Sequence, residues 1–328
     1  MPWTATICRM ALGISLDEVT FSRRGFCTSN PDTQLHLEAA GRAFLSGYNL
    51  ALGLPELPDL AHQLDEIDVN RRGFGYEGAA MALALLDHLL PFGGGRFLVF
   101  LNGVAARHTY MVHVGYGWAA ARLFWLRRNL TRLLRPLDPL LGWLVIDGFG
   151  FHAGYFGWRS AFNRHLLPVP LPGYFLRAFD QGLGRSLWFV RGGDVTAINE
   201  TIEAFPEPRR ADLWSGIGLA CTYAGGVSRS DIEMLLRNGA VYRTHLAQGA
   251  AFAAKARVRA GNPTSDAEMA CQLLCGLAAT EAARVTDEAL NELQVNDSEP
   301  AYESWRRGIR QRFEPCAGEF SGAIPRPG

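Results

Sequence analysis

At 328 residues, 48% of them hydrophobic, the chain carries enough apolar material for a sizeable core, and nothing in its length forces a division into domains. Its 32 basic and 32 acidic side chains cancel, which excludes the global field that draws nucleic acid to a protein. Six cysteines stand at 8, 27, 221, 271, 275 and 316 with no CxxC pair and no zinc-type spacing. They read as reduced core residues, and no metal or other cofactor is evident.

Residues 1–16 mix Thr4, Arg9 and Gly13 into an apolar stretch that lacks the uninterrupted core of a secretion signal, so a cytoplasmic location is expected. Two short segments then answer each other. Leu-Asp-Glu-Val-Thr-Phe-Ser-Arg-Arg-Gly-Phe at 16–26 returns at 64–74 with seven of eleven positions identical. An acidic pair followed by an arginine pair suits a structural joint between helices. The sharper reading is that Arg23, Arg24, Arg71 and Arg72 converge on a carboxylate or phosphate.

Between and after these joints, residues 35–52 and 76–90 have helical spacing and are closed by glycine and proline. Residues 97–134 continue as apolar helix and end in a basic stripe, Arg122, Arg127, Arg128, Arg132 and Arg135, with Phe124 and Trp125 interleaved. Such a stripe is a solvated face, or else a surface for an acidic partner or for peripheral attachment to a membrane. The apolar regions 79–101 and 139–158 are each interrupted by charge and read as buried helices rather than membrane spans. Pro168, Pro170 and Pro172 make a connector too proline-dense for helix.

A glycine beat organises the whole. Gly115-Tyr116-Gly117, Gly148-Phe149-Gly150, Gly182-Leu183-Gly184, Gly216-Ile217-Gly218 and Gly249-Ala250-Ala251 begin 33 or 34 residues apart. Periods of this length mean stacked helix pairs. Units 182–215 and 216–248 align without gaps across their beginnings, turning at Gly192-Gly193-Asp194 and Gly225-Gly226; a third turns at Gly261-Asn262-Pro263, with Thr264 or Ser265 as N-cap and Glu268 placed to complete a capping box. Each glycine costs a helix about 1 kcal/mol relative to alanine, so the beat implies close packing, expected between the two helices of one unit. The fold expected is all-α: one tetratricopeptide-like array of helical hairpins over residues 1–310, regular across 115–283 and curled around an apolar pocket, with a loosely ordered tail at 311–328.

The central beat is the one polar groups enter. Asp147 precedes its glycines, His152 follows them, and Tyr155 lies on the same helical face three residues on. Asp180, Arg185 and Glu77 take comparable places in other units. A carboxylate, an imidazole, a phenol and a guanidinium inside an aromatic pocket can do acid–base work on a hydrophobic substrate. Candidate catalytic residues are therefore Asp147, His152, Tyr155, Asp180, Arg185 and Glu77, with Tyr76, Phe149, Phe151, Trp188, Trp214 and Tyr223 as pocket walls. The competing reading is that His152 is a satisfied core histidine and that the buried Asp and Arg pair to hold repeats together. No Gly-x-Ser-x-Gly elbow, His-Glu-x-x-His, Walker loop or dinucleotide fingerprint is present.

The run 147–156, the segments Phe179-Asp180-Gln181-Gly182-Leu183-Gly184-Arg185 and Asp212-Leu213-Trp214-Ser215-Gly216-Ile217-Gly218, and the joint at 16–26 resemble a bacterial family known as domain of unknown function 1702. The resemblance runs from about residue 12 to about 310. It implies a place in enediyne biosynthesis, beside an iterative polyketide synthase, and it brings no catalytic residues with it. Three readings follow: a biosynthetic protein or enzyme that holds a polyene and helps to fold, cyclise or modify it; a noncanonical isoprenoid cyclase using Asp147, His152 and Trp214; or a non-catalytic scaffold that docks a synthase or a membrane partner.

Overall fold

The computed structural model describes residues 2–53, 56–90, 94–294 and 298–314. Among them every regular element is helical, nineteen α-helices and three 3-10 turns without a strand. Seven helices form a row in which each packs on the next: α1 (Pro31–Leu52), α2 (Arg72–Leu89), α3 (Thr109–Arg122), α4 (Trp143–Phe156), α5 (Tyr174–Val190), α6 (Glu207–Tyr223) and α7 (Arg243–Ala260). The all-helical expectation holds. The pairing differs from that of tetratricopeptide hairpins, because the row helices pack chiefly on one another and not on the short helices between them.

The glycines explain this. A Cβ on Gly117 would lie 2.2 Å from the Val145 carbonyl oxygen, and one on Gly148 would lie 2.1 Å from that of Val114. Along the row, Gly150 abuts Phe179 and Gly182 abuts Asp147, Gly184 meets Leu213 and Gly216 meets Gln181, and Gly218 meets Leu246 while Gly249 meets Ser215. One glycine of a pair thus faces the preceding row helix and the other the following one. The beat falls mid-helix, since α6 begins at Glu207 and its glycines are Gly216 and Gly218, so the hairpin units are offset from the intervals 182–215 and 216–248.

Short outer helices return the chain. Asp194 caps Val195–Glu203, Ser228 and Asp231 form a capping box on Arg229–Asn238, and Thr264 caps Ser265–Leu274. Gly192, Gly193, Gly225 and Gly226 all have positive φ at the turns, a backbone that only glycine adopts freely. Glu268 does not close a box with Thr264. It stands one position too late, and its carboxylate accepts from the Ala279 N–H instead (2.9 Å).

The row closes on itself. Thr28, before α1, and Thr33, in its first turn, donate to the carbonyls of Gly192 (3.1 Å) and Gly226 (2.6 Å), and His36 bonds to the Ala224 carbonyl (2.6 Å). The joint before α2 receives Arg257, at the end of α7, on the Asn70 carbonyl (3.3 Å). α8 (Ala279–Asn291) packs on α7, and α9 (Ala301–Arg312) follows it. Arg306 of α9 is fully buried against Asp212 and Glu303.

Both arginines of the first joint bind Glu18; in the second, Arg71 lies 3.7 Å from Asp68 and Arg72 3.6 Å from Asp65. These are joints, and each arginine pair is engaged by its own segment. The basic stripe is broken up: Arg122 ends α3, Arg127 and Arg132 lie in the short helices Phe124–Arg127 and Leu130–Leu134, Arg128 and Arg135 follow those helices, and Phe124 and Trp125 are exposed. No described helix is long and apolar enough to cross a membrane. Cys8, Cys221 and Cys271 are buried free thiols, Cys275 is half-buried and Cys27 is exposed. Cys316 and most of the tail at 311–328 lie outside the described residues.

Candidate functional site

The inward face of the row has a simple register. The residue after the second glycine of each beat points into the curl: Trp118, Phe151, Arg185 and Leu219, with Phe252 in the corresponding place. One turn later come Arg122, Tyr155, Phe189, Tyr223 and Ala256, which line the same interior. One turn earlier is a polar ladder. The Gln181 amide donates to Asp147 (2.8 Å), Ser215 lies 3.3 Å from Gln181 and 3.0 Å from Gln248, and Arg306 donates to Gln248 (3.1 Å).

Above the ladder lies a slot between α1, α2, α3, α4 and α5, walled by Phe44, Phe74, Met81, Trp118, Phe151 and Phe189. About 600 Å³ lies between its lining atoms, mouth included, yet the centre of a water molecule can roam only about 40 Å³ of it. The slot is slender and its walls are almost wholly apolar. The first joint straps its mouth: Glu18 and Val19 line it, Phe26 packs edge-on against Tyr155 (5.0 Å), and Trp158 donates to the Arg24 carbonyl (3.1 Å).

Three ionisable groups meet at the floor. Asp147, 1% exposed, is ion-paired to Arg185, whose guanidinium also sits 5.1 Å over the Phe151 ring. Burial opposes the charge on Arg185, but Asp147 and Glu77 together hold its pKa above the ordinary value. Glu77, 2% exposed, opens onto the slot and forms no ion pair among the described residues. Burial raises its carboxyl to about 8, with Arg185 opposing and Asp147 adding to the rise. The Trp118 indole N–H faces it without closing a hydrogen bond. At neutral pH Glu77 is therefore largely a protonated acid.

The sequence candidates divide. Glu77, Asp147, Tyr155, Arg185 and Phe151 come together at the slot or its floor, and burial raises the Tyr155 phenol. Tyr223 lies with Arg185 on a smaller adjoining void. His152 does not join them. It is one position past the inward register, half-buried on the outer side of α4 with Phe149, where packing and then Arg122 and Arg127 lower its pKa. Asp180 is clamped by Arg209 of α6, its pKa raised by burial to about 6. Tyr76 stacks on His108 (4.0 Å) and donates to Asp65 (3.2 Å). Trp188 donates to the Gly225 carbonyl (3.1 Å), and Trp214 stacks on Tyr242 (6.5 Å); both hold helices together. Sequence reasoning missed Trp118, Arg122, Phe189 and Met81; the place directly after a glycine pair signalled Trp118 and the place one turn later Arg122 and Phe189, while nothing of that kind marked Met81. Among the described residues no group of His, Cys, Asp and Glu gathers as metal ligands.

The geometry defines a row of helices closed around an apolar slot, with Glu77, which forms no ion pair among the described residues, at its floor. The chain belongs to the family described as Protein of unknown function (DUF1702), which matches residues 3–313. No curated protein and no solved structure matches it.

Proposed function

We propose that the slot takes an extended, unsaturated apolar chain and that Glu77 exchanges a proton with it. The observation that carries this reading is the Glu77 carboxyl, buried without an ion pair among the described residues on the floor of an apolar, aromatic-walled slot, beside an Asp147–Arg185 pair that keeps a guanidinium within electrostatic reach. The Glu77 acid gives its proton to one carbon of a conjugated chain, Arg185 steadies the carboxylate left behind, and that carboxylate removes a proton from another carbon. The net result is isomerisation or ring closure without change of composition. In the setting the family resemblance implies, the chain is a polyene on the way to an enediyne-type polyketide core.

A second reading has its own support. The rings of Phe44, Phe74, Trp118, Phe151, Tyr155 and Phe189 are the kind of lining that stabilises a cationic isoprenoid intermediate, with Glu77 as the initiating acid. Both readings use the same slot and the same proton.

Diphenylhexatriene, a linear polyene that fluoresces only when shielded from water, tests the slot. Its emission should rise with the wild-type protein and stay flat with Met81→Trp, whose larger ring fills the space. Proton exchange is tested by deuterium entering a bound conjugated polyene in heavy water, and Glu77→Gln should bind the probe but incorporate none. Incorporation by Glu77→Gln at the wild-type rate would remove Glu77 from the chemistry.

A further inference from the structure

A second hollow shares a wall with the slot. It lies between α1, the joint before α2 and the start of Ser265–Leu274, and its lining is polar: Arg257, Arg71, His36, Asn70, Thr264 and Asp266. Ala40 and Phe74 belong to both spaces, so the two are separated by no more than these side chains. About 750 Å³ lies between the lining atoms, mouth included.

Arg257 sets this hollow apart. It is 4% exposed, yet it forms no ion pair among the described residues. Its guanidinium donates to the carbonyls of Asn262 (3.0 Å), Asn70 (3.3 Å) and Tyr223, and lies 4.3 Å over the Tyr223 ring, while its Nε is buried with no hydrogen bond. Carbonyl dipoles and a ring face offset only part of the cost of burying a cation. The other buried arginines described above, Arg185 and Arg306, face carboxylates directly. Arg71 at the rim also has an unsatisfied Nε and reaches Asp68 only at 3.7 Å. His36 Nε2 is bonded to the Ala224 carbonyl, which makes that nitrogen the donor. Asp266 is the one acid of the lining, 3.8 Å from His36. Arg71 already has Asp68 beside it and Asp266 lies against His36, which leaves Arg257 as the lining cation with no ion pair of its own among the described residues.

We infer that this hollow receives the oxyanion head of an amphipathic chain whose apolar part lies in the slot, with Arg257 and Arg71 as the groups that hold it. The inference rests on the slot reading above and narrows its ligand to chains ending in a carboxylate or phosphate. The head fixes the register of the chain along the slot, and so decides which carbon stands at Glu77.

The test compares a conjugated tetraene fatty acid with its methyl ester, by fluorescence titration of the wild-type protein, Arg257→Gln and Arg71→Gln. The acid should bind at least about tenfold more tightly than the ester, as one charge-assisted hydrogen bond allows. Both substitutions should bring the acid down to the level of the ester and leave the ester and diphenylhexatriene unchanged. Arg71→Gln, at the rim, keeps the test open should Arg257→Gln fail to fold. Displacement of the acid by millimolar inorganic phosphate assigns the hollow to phosphorylated chains, and its absence assigns it to carboxylates. Equal affinity for acid and ester, with diphenylhexatriene still bound, overturns the head-group site and leaves the slot standing. Failure of diphenylhexatriene to bind removes the slot and this inference with it.

Discussion

Glu77 is unusual because its burial is matched by no counter-charge of its own, and that has a measurable consequence. Its folded pKa is raised from about 4.5 to about 8, so the folded state holds a proton that the unfolded chain releases. The stabilisation this gives is complete below pH 4.5 and is lost as pH rises toward 8, at a slope of at most about 1.4 kcal/mol per pH unit. Glu77→Gln should flatten that slope; thermal melts of both proteins at pH 5 and pH 8 will show it, and parallel curves would mean that Glu77 does not carry the proton. The neighbouring pair behaves differently. Arg185→Met leaves Asp147 charged and buried, which should cost about 3–5 kcal/mol, read as a shift in the denaturant midpoint. Asp147 and Arg185 were legible in the sequence as polar intruders on apolar helices. His152 was legible too, but one residue is about 100° of helix, and only the inward register of Phe151 and Tyr155 shows that it faces away.

The row helices exist as a row because their glycines let one backbone lie on the next. A methyl on Gly182 would sit 1.7 Å from the Asp147 carbonyl oxygen, closer than any side-chain movement can relieve. Gly182→Ala should therefore destabilise by more than the roughly 1 kcal/mol that alanine gains in a helix, by about 2–4 kcal/mol net as α4 and α5 are forced apart. Gly308→Ala is the control. Its nearest contact would be an ordinary 3.5 Å from the Ala289 methyl, so it should stabilise by up to about 1 kcal/mol. Urea titrations of the two variants should move in opposite directions, and equal small effects would mean that the crossings can relax. The interval of the beat was plain in the sequence, because a glycine in mid-helix needs a reason. Which helix each glycine approached was not, since a period of 33 or 34 residues is equally consistent with packing inside a hairpin and packing between successive units.

At the scale of the molecule, the curl is held where the sequence looked least informative. Arg306 of α9 reaches Asp212 on α6 (2.8 Å), Gln248 on α7 (3.1 Å) and Tyr174 on α5 (3.1 Å), and so ties three row helices to the end of the chain. Nothing local in α9, whose mean character is polar, announces a fully buried arginine; apart from Glu303, its partners lie 58 to 132 residues away. Glu303 belongs to the same cluster: against a burial penalty that raises it, Arg306, Arg310 and Arg177 hold its pKa at about 2. With a depressed folded pKa, its contribution is complete above the ordinary carboxylate value and is lost only as pH falls toward 2. Arg306→Met should therefore act twice. At neutral pH it leaves Asp212 and Glu303 sharing Arg177 and Arg310, lowering stability by about 3–5 kcal/mol, and it should also move acid unfolding to higher pH. Because the row is closed, both effects should be felt along its whole length, so near-ultraviolet circular dichroism, which reports aromatic packing throughout, and exchange of the α2 amides should give the same midpoint. A variant whose C-terminal helices loosen while the α2 amides stay protected would show instead an open array of separable repeats, and the slot would then owe nothing to the clamp.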